Sequence, residues 1–283
     1  MSRHVRIAVV QPPATGEQVS HDHMREQALS LLEEAAGQGA DIVCLPEYAN
    51  AMGRDEDWWQ SPPPAADEPM LVQASNIARQ HSSYVILPLL EGQDSGHTNT
   101  SLLIDRRGNV VGRYDKTHLT AVECEDQKVC PGDSYPVFDL DFGRIGIMTC
   151  YDAHFPEVSR ILALQGAEIL FFPSLQRRLT AEALDLQVRC RAIDNCVYIA
   201  RSSYGTPLDV PWMPGMTAGK SCIVDFEGTV LADAGPRVGI AATDIDLNRP
   251  RLKERSFGGK VGDAAQFMRH DRRPETYGRL LEP

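Results

Sequence analysis

The chain has 283 residues, of which 42% are hydrophobic and 24% charged, proportions ordinary for a soluble globular protein. Its formal net charge of −11 argues against nucleic acid or an anionic membrane surface as a partner. No apolar run approaches the ~20 residues of a membrane helix. The opening MSRHVRIAVVQPP lacks the length and the small-residue cleavage site of a secretory signal, so a cytoplasmic location is expected.

Elements that look like strands and helices alternate along the chain. Residues 5–11 (VRIAVVQ) form a predicted buried strand. Residues 24–39 carry apolar side chains at helical spacing (Ala28, Leu31, Leu32, Ala35) and end in glycine. A strand is predicted over 41–47, closed by Pro46, then a helix over 70–82 and a strand over 84–92. Residues 99–119 look like a hairpin turning at Arg107, Gly108 and Asn109. Residues 120–136 are polar and irregular. Two strands around Gly143 follow over 135–150, then a helix (156–167), a strand (168–174), a helix (181–195) and a strand (196–205). A second hairpin over 220–234 turns at Glu227 and Gly228, and a last strand covers 239–247. The tail from Arg249 is basic and polar, which suits packing against a neighbour. With no Ser/Gly linker, the pattern predicts one domain over 1–283. Its sheets should be mixed, with helices outside.

The seven cysteines (Cys44, Cys124, Cys130, Cys150, Cys190, Cys196, Cys222) are odd in number and contain no CxxC pair. That argues against a disulfide framework and against a structural zinc site. The histidines are scattered, and the HDH at positions 21–23 reads as a helix start or solvated loop. There is no phosphate-binding glycine motif, so no nucleotide cofactor is expected.

Three predicted strands share one design. Glu47 follows DIVCLP, Lys116 closes VVGRYDK, and Cys150 closes IGIMT. Sites in layered α/β folds collect where strands end. Alone, each residue has a bland reading: an inert core thiol, a solvated cap, a surface charge. Together they form a coherent set. The carboxylate can take the thiol proton, and the ammonium can hold the oxyanion of a tetrahedral intermediate.

The motifs LPEY (45–48), YDKTHL (114–119) and CYDAHFPE (150–157) resemble the three signatures of the nitrilase or carbon–nitrogen hydrolase superfamily. PGD (131–133), GAEILFFPS (166–174), RAIDN (191–195), GKSCIVDFEGTVLA (219–232) and RRPETYG (272–278) extend the resemblance over nearly the whole chain. It implies a four-layer α-β-β-α sandwich with two mixed β-sheets and a Glu-Lys-Cys triad. It also implies assembly into a homodimer or larger even-numbered oligomer, and no metal or organic cofactor. By position, Glu47 is the expected general base, Lys116 the oxyanion cation and Cys150 the nucleophile, with the backbone N–H of Tyr151 as a second oxyanion donor. A fourth catalytic glutamate is expected six residues before the proline of PG, which points to Glu125. The expected activity is hydrolysis of a small amide or N-carbamoyl compound through a thioester. Nitriles are less favoured because Tyr151 and Asp152 stand where true nitrilases carry Trp and Glu. Acyl transfer on the same triad and a catalytically silent binding homologue are the alternatives. A papain-like Cys–His pair would need a partner histidine in a recognisable setting, and none is seen. His154 occupies the place where relatives that bind a substrate carboxylate have arginine. Arg177 or Arg178 could substitute as the substrate-binding cation. His118 is expected in a structural hydrogen bond, and the Trp58/Trp59 loop either as a lid or in a subunit contact.

Overall fold

A computed structural model of the chain describes residues 3–14, 20–93, 96–176, 180–205 and 219–282. Strand β1 (His4–Gln11) is apolar on both faces: Val5, Ile7 and Val9 lie on one side, Ala8 and Val10 on the other, all buried. Side chains alternate along a strand, so this one has to be covered on both sides. It lies inside a six-stranded sheet whose order is β12 (Gly239–Asp246), β1, β2 (Ile42–Cys44), β3 (Tyr84–Gln93), β4 (Gly96–Ile104) and β5 (Val110–Asp115). Strands β1, β2 and β3 are parallel and the other pairings antiparallel, with His4 opposite Asp246 at the edge of the β1–β12 ladder. A second six-stranded sheet has the order β11 (Val230–Asp233), β10 (Cys222–Val224), β9 (Tyr198–Ser202), β8 (Ile169–Pro173), β7 (Arg144–Ile147) and β6 (Val137–Asp139). Here β7, β8 and β9 are parallel.

The two sheets face each other. Ile7, Val9, Ile42 and Ile86 of the first meet Ile145, Ile147, Phe171 and Ala200 of the second in one core. The outer face of the first sheet is covered by α1 (His21–Gly37) and α3 (Pro69–His81), which bury Leu32, Ala35, Met70 and Ala74 against Ala8, Val43 and Leu87. The outer face of the second is covered by α5 (Pro156–Leu164) and α6 (Ala181–Asn195), which bury Val158, Leu162 and Val188 against Leu170 and Phe172. This is the expected four-layer α-β-β-α sandwich. Ser20 opens α1 by accepting a hydrogen bond from the backbone N–H of His23 at 3.3 Å, so the HDH stretch is a helix start. His21 is buried there, with Nδ1 against the carbonyl of Met52.

Two elements differ from the sequence reading. The strand predicted over 41–47 shrinks to three residues, because Pro46 has no N–H to donate to the ladder. The chain then bends, with Tyr48 at a left-handed φ of 60°. The irregular stretch 120–136 holds a short helix, α4 (Ala121–Glu125). The C-terminal tail folds on its own chain. It forms a small ladder of β13 (Leu252–Glu254) and β14 (Val261–Asp263), then α7 (Ala264–His270), whose Arg269 donates to the carbonyl of Ala163 at 3.3 Å.

Candidate active site

Glu47, Lys116 and Cys150 stand just past the C-terminal ends of β2, β5 and β7, and the two sheets bring them together. Lys116 Nζ lies 2.9 Å from Glu47 Oε1. It also lies 2.8 Å from each carboxylate oxygen of Glu123. All are enclosed: Glu47 is 1% exposed, Lys116 2%, Glu123 3% and Cys150 8%. Cys150 has a left-handed φ of 47° and opens a 3-10 turn over Cys150–His154. A cysteine pays backbone strain for that conformation, in the turn that follows the end of β7 at Ile147.

Several contacts fix each carboxylate. Glu47 Oε2 accepts the Leu175 N–H at 2.9 Å. Its own backbone carbonyl accepts the Tyr204 hydroxyl at 2.8 Å. Asn99 Nδ2 donates to Glu47 Oε1 and to Glu123 Oε1, both at 2.9 Å. Glu123 Oε1 also accepts the Tyr48 hydroxyl at 2.5 Å. Glu123 Oε2 accepts the backbone N–H and the hydroxyl of Thr120 at 2.8 and 2.9 Å. Lys116 is pinned through its backbone, its N–H donating to the Asn99 carbonyl and its carbonyl accepting from Gly132, both at 2.9 Å. A side chain at Gly132 would lie 2.2 Å from the Asp115 carbonyl, so the PGD motif needs glycine for this close approach.

The second carboxylate that meets Lys116 is that of Glu123, not that of Glu125, the expected position. Glu125 is exposed at the end of α4. Thr120 caps α4 in a reciprocal box with Glu123, and that box turns the Glu123 carboxylate inward toward Lys116. The pattern Thr-x-x-Glu was readable as a helix start, and it was the signal that a fixed count back from Pro131 missed. Tyr48 and Asn99 were not singled out either. Tyr48 stands inside the LPEY motif, whereas nothing in the local sequence marks Asn99.

Asp152 is fully buried and joins the two sheets at the site. Its carboxylate accepts from Tyr114 OH at 2.6 Å, Thr117 Oγ1 at 3.1 Å, the His118 N–H at 3.0 Å and the Thr149 N–H at 2.8 Å. His118 Nδ1 lies 3.1 Å away, and the His118 ring stacks on Phe155 with centroids 3.9 Å apart. His118 is thus in a structural network, as expected.

Above Cys150 is a cavity of about 380 Å³, lined in part by Tyr151, His154, Trp59, Val122, Leu175 and Gln176. Tyr151 and His154 so face the site as expected, with ring centroids 5.2 Å apart. Arg177 and Arg178 lie outside the described residues.

Burial pushes the Cys150 thiol well above its ordinary value, the Glu47 charge adds to that, and Lys116 opposes it. Burial alone would lower the Lys116 ammonium, but the charges of Glu47 and Glu123 and the hydrogen bond to Glu123 outweigh it and raise it. Burial opposes the Glu123 charge too, yet Lys116, Thr120 and Tyr48 hold its carboxyl below the usual range. The arrangement offers a protonated thiol beside a carboxylate, with a fixed cation next to both. It can deliver a thiol to a carbonyl if the carboxylate removes the proton.

A sequence model of the carbon–nitrogen hydrolase family matches residues 6–253, and the chain belongs to that family. It is 32% identical over 235 residues to human omega-amidase NIT2, covering 79% of this chain and 83% of the relative. It is 34% identical over 272 residues to human deaminated glutathione amidase, covering 89% and 78%. An amidase from Nesterenkonia sp. superposes with a TM-score of 0.78 at 22% identity, covering 98% of this chain and 96% of that one. Saccharomyces cerevisiae Nit3 superposes with a TM-score of 0.73 at 25% identity, covering 86% and 90%.

Glu123→Gln should lower kcat/KM by about a hundredfold or more, the scale on which misplacing a reacting group is felt, whereas Glu125→Gln should stay within about twofold of wild type. A reversed pair of values in steady-state ammonia release would restore the count from Pro131. The Glu123 carboxyl is also a stability group. Its folded pKa is depressed, so its contribution is present above the ordinary value of 4.5 and lost as pH falls through the lower folded value. Thermal melts should therefore show wild type ahead of Glu123→Gln at neutral pH, with the gap narrowing below pH 4.5. A gap that stays constant into acid would contradict this.

Proposed function

We propose that this carbon–nitrogen hydrolase cleaves a small carboxamide or N-carbamoyl compound through a Cys150 thioester, with Glu47 as base. The observation that carries the reading is the buried Lys116, held between Glu47 and Glu123 at the strand end that presents Cys150. The amidase names of the relatives support the choice of amide over nitrile.

The thiol is protonated in the resting site, because burial and Glu47 both raise it. Attack therefore couples two events. Sγ bonds to the carbonyl carbon as its proton passes to Glu47, and the carbonyl oxygen takes the negative charge. Lys116 Nζ, together with the backbone N–H of Tyr151, holds that oxyanion. Preorganised donors of this kind are worth about 3 kcal/mol each in other acyl-transfer enzymes. Glu47 passes the proton to the leaving nitrogen, and ammonia or an amine departs. Water then gives a proton to Glu47 and attacks the thioester, and collapse of the second intermediate returns the thiol. Glu123 holds Lys116 and the incoming amide in register. His154 and Tyr151, which line the cavity, contact the substrate. No step calls on a metal or organic cofactor.

The same reading places the protein in the cytoplasm, in keeping with seven cysteines without a disulfide-type spacing. No helix among the described residues is long and apolar enough to cross a membrane. It also makes the protein a single hydrolase domain that assembles as a homodimer or larger even-numbered oligomer. The tail from about Arg249 supports that, because it leaves Phe257, Leu280 and Leu281 exposed.

Ammonia release from a panel of primary amides, N-carbamoyl amino acids and nitriles tests the reaction. Amides or N-carbamoyl compounds should turn over, and Cys150→Ala should reduce turnover to background with the fold intact. Turnover of nitriles alone, or full activity in Cys150→Ala, would overturn the assignment. Light scattering after sizing should give an even multiple of 31.3 kDa. A monomer at micromolar concentration would remove the tail from any interface.

A further inference from the structure

Asn99 closes a ring around the buried ammonium. Its Nδ2 donates to Glu47 Oε1 and to Glu123 Oε1, both at 2.9 Å. Lys116 Nζ donates to the same two oxygens, at 2.9 and 2.8 Å. Nitrogen and oxygen thus alternate around a closed ring of hydrogen bonds. Asn99 lies on β4 beside Thr100, which stands opposite Asp115 of β5, and its backbone carbonyl accepts the Lys116 N–H at 2.9 Å. It therefore holds the lysine through the backbone and the two carboxylates through its side chain. The amide can face only one way, because turned over it would set its carbonyl oxygen against two carboxylate oxygens. As it stands, Asn99 Oδ1 is buried and has no hydrogen-bond partner among the described residues. An apolar residue of similar shape would avoid the cost of that unmet acceptor, so packing does not explain an asparagine here.

The ring decides which carboxylate oxygen is left open. Each such oxygen offers about two acceptor positions. Glu47 Oε1 has both filled, by Lys116 and Asn99. Glu123 Oε1 accepts from Lys116, Asn99 and the Tyr48 hydroxyl. The Tyr48 ring is braced edge-on by Trp59 of α2 (Glu56–Gln60), centroids 5.3 Å apart. Glu123 Oε2 accepts from Lys116 and from both donors of Thr120. Glu47 Oε2 accepts the Leu175 N–H, and among the described residues it alone of these oxygens keeps a position to spare. The Cys150 thiol is within hydrogen-bond reach of this same carboxylate.

We propose that Asn99 is a positioning residue. By filling Oε1 of both glutamates, it makes Oε2 of Glu47 the oxygen that takes the Cys150 proton, and it keeps the two carboxylates in place while Lys116 turns to the oxyanion. The inference rests on the reading of Glu47 as base and names the residue that selects the accepting oxygen. In this step the S–H bond breaks and its proton goes to Oε2. The sulfur electron pair forms the bond to the carbonyl carbon, and the C=O π pair moves onto oxygen. Asn99 does not line the cavity over Cys150, so it acts through the carboxylates and not on the substrate.

The test compares wild type with Asn99→Ala, Asn99→Asp and Asn99→Ser. Two rates are followed from about pH 4 to about pH 8, across the carboxylate range. One is kcat/KM for an amide that wild type turns over. The other is alkylation of Cys150 by iodoacetamide, read by mass spectrometry. Loss of an N–H donor favours the protonated form of each carboxylate. The acid limb of both profiles should therefore move to higher pH in Asn99→Ala, by about one unit, the worth of a hydrogen bond to a charged group. Asn99→Asp keeps the shape and loses the donors, so its limb should move at least as far. At the optimum kcat should fall about tenfold or more, with KM kept within about threefold, since geometry is lost and substrate contacts are not. Asn99→Ser is the mildest change to the fold. Its short hydroxyl reaches one carboxylate at most, and its limb should move in the same direction. Lys116, Tyr48, Tyr204 and Cys150, which face the two carboxylates, are the same in every variant. Unmoved limbs in the folded variants, an Asn99→Asp profile that matches wild type, or a loss carried by KM overturns the proposal. If wild type turns over no amide, the reaction assignment fails on its own, and the alkylation profiles still decide the role of Asn99.

Discussion

One ammonium held between two carboxylates and out of water is the constraint on which the site depends. Lys116, Glu47 and Glu123 are each at most 3% exposed. Taking such charges out of water costs several kcal/mol per ion, and only close pairing with full hydrogen bonding offsets that. The surroundings supply the bonding. Leu175, Asn99, Tyr48 and Thr120 all donate to the two carboxylates. The cluster is consequently close to all-or-none. Removing one member leaves a buried charge without compensation, a loss of about 3–5 kcal/mol in other proteins. Its positions are thereby fixed more tightly than surface loops could fix them.

The cluster also explains the architecture around it. Glu47 and Lys116 leave the first sheet, and Cys150 and Leu175 leave the second. Any sliding of one sheet over the other would separate thiol from base. The apolar core between the sheets resists separation but has little directional preference. Asp152 adds direction. It binds Tyr114, Thr117 and His118 on the lysine side and the Thr149 N–H on the cysteine side. A buried carboxylate with four donors aimed at it has one comfortable position, and the Cys150 turn takes its place from that position.

How much of this was legible in the sequence follows from what each residue depends on. Strands 5–11 and 168–174 were readable because burial on both faces writes continuous apolar runs. Glu47, Lys116 and Cys150 were readable because each ends such a run, so local pattern and chemistry coincided. The layers were legible as mixed sheets with outer helices, and the family resemblance supplied their number. A fixed count back from Pro131 reaches Glu125 and not Glu123, because the local capping pattern Thr120-x-x-Glu123 decides which side chain points to Lys116. Asn99 could not be read at all. Its role comes from hydrogen bonds to residues 52 and 24 positions away, and nothing local encodes that. Asp152 was visible as a motif letter, but its work in joining the sheets is tertiary.

The charge count gives the proposed reaction a further physical logic. In the resting site Glu47 and Glu123 are negative, Lys116 is positive and the thiol is neutral, a net charge of −1. After attack, the thiol proton is on Glu47 and the negative charge is on the carbonyl oxygen, and the net is again −1. No charge has to enter or leave a dry site, so the cost of reorganising solvent is small. The move also resolves a conflict in the resting geometry. Lys116 has three contacts, one to Glu47 and two to Glu123, and an ammonium has three protons to give. It has none to spare for an oxyanion. Once Glu47 is protonated, its hold on the ammonium weakens, while Glu123 keeps the lysine in place. The released N–H is then available as the oxyanion forms. On this account two glutamates are needed because one must change its charge during the reaction, and the other must not.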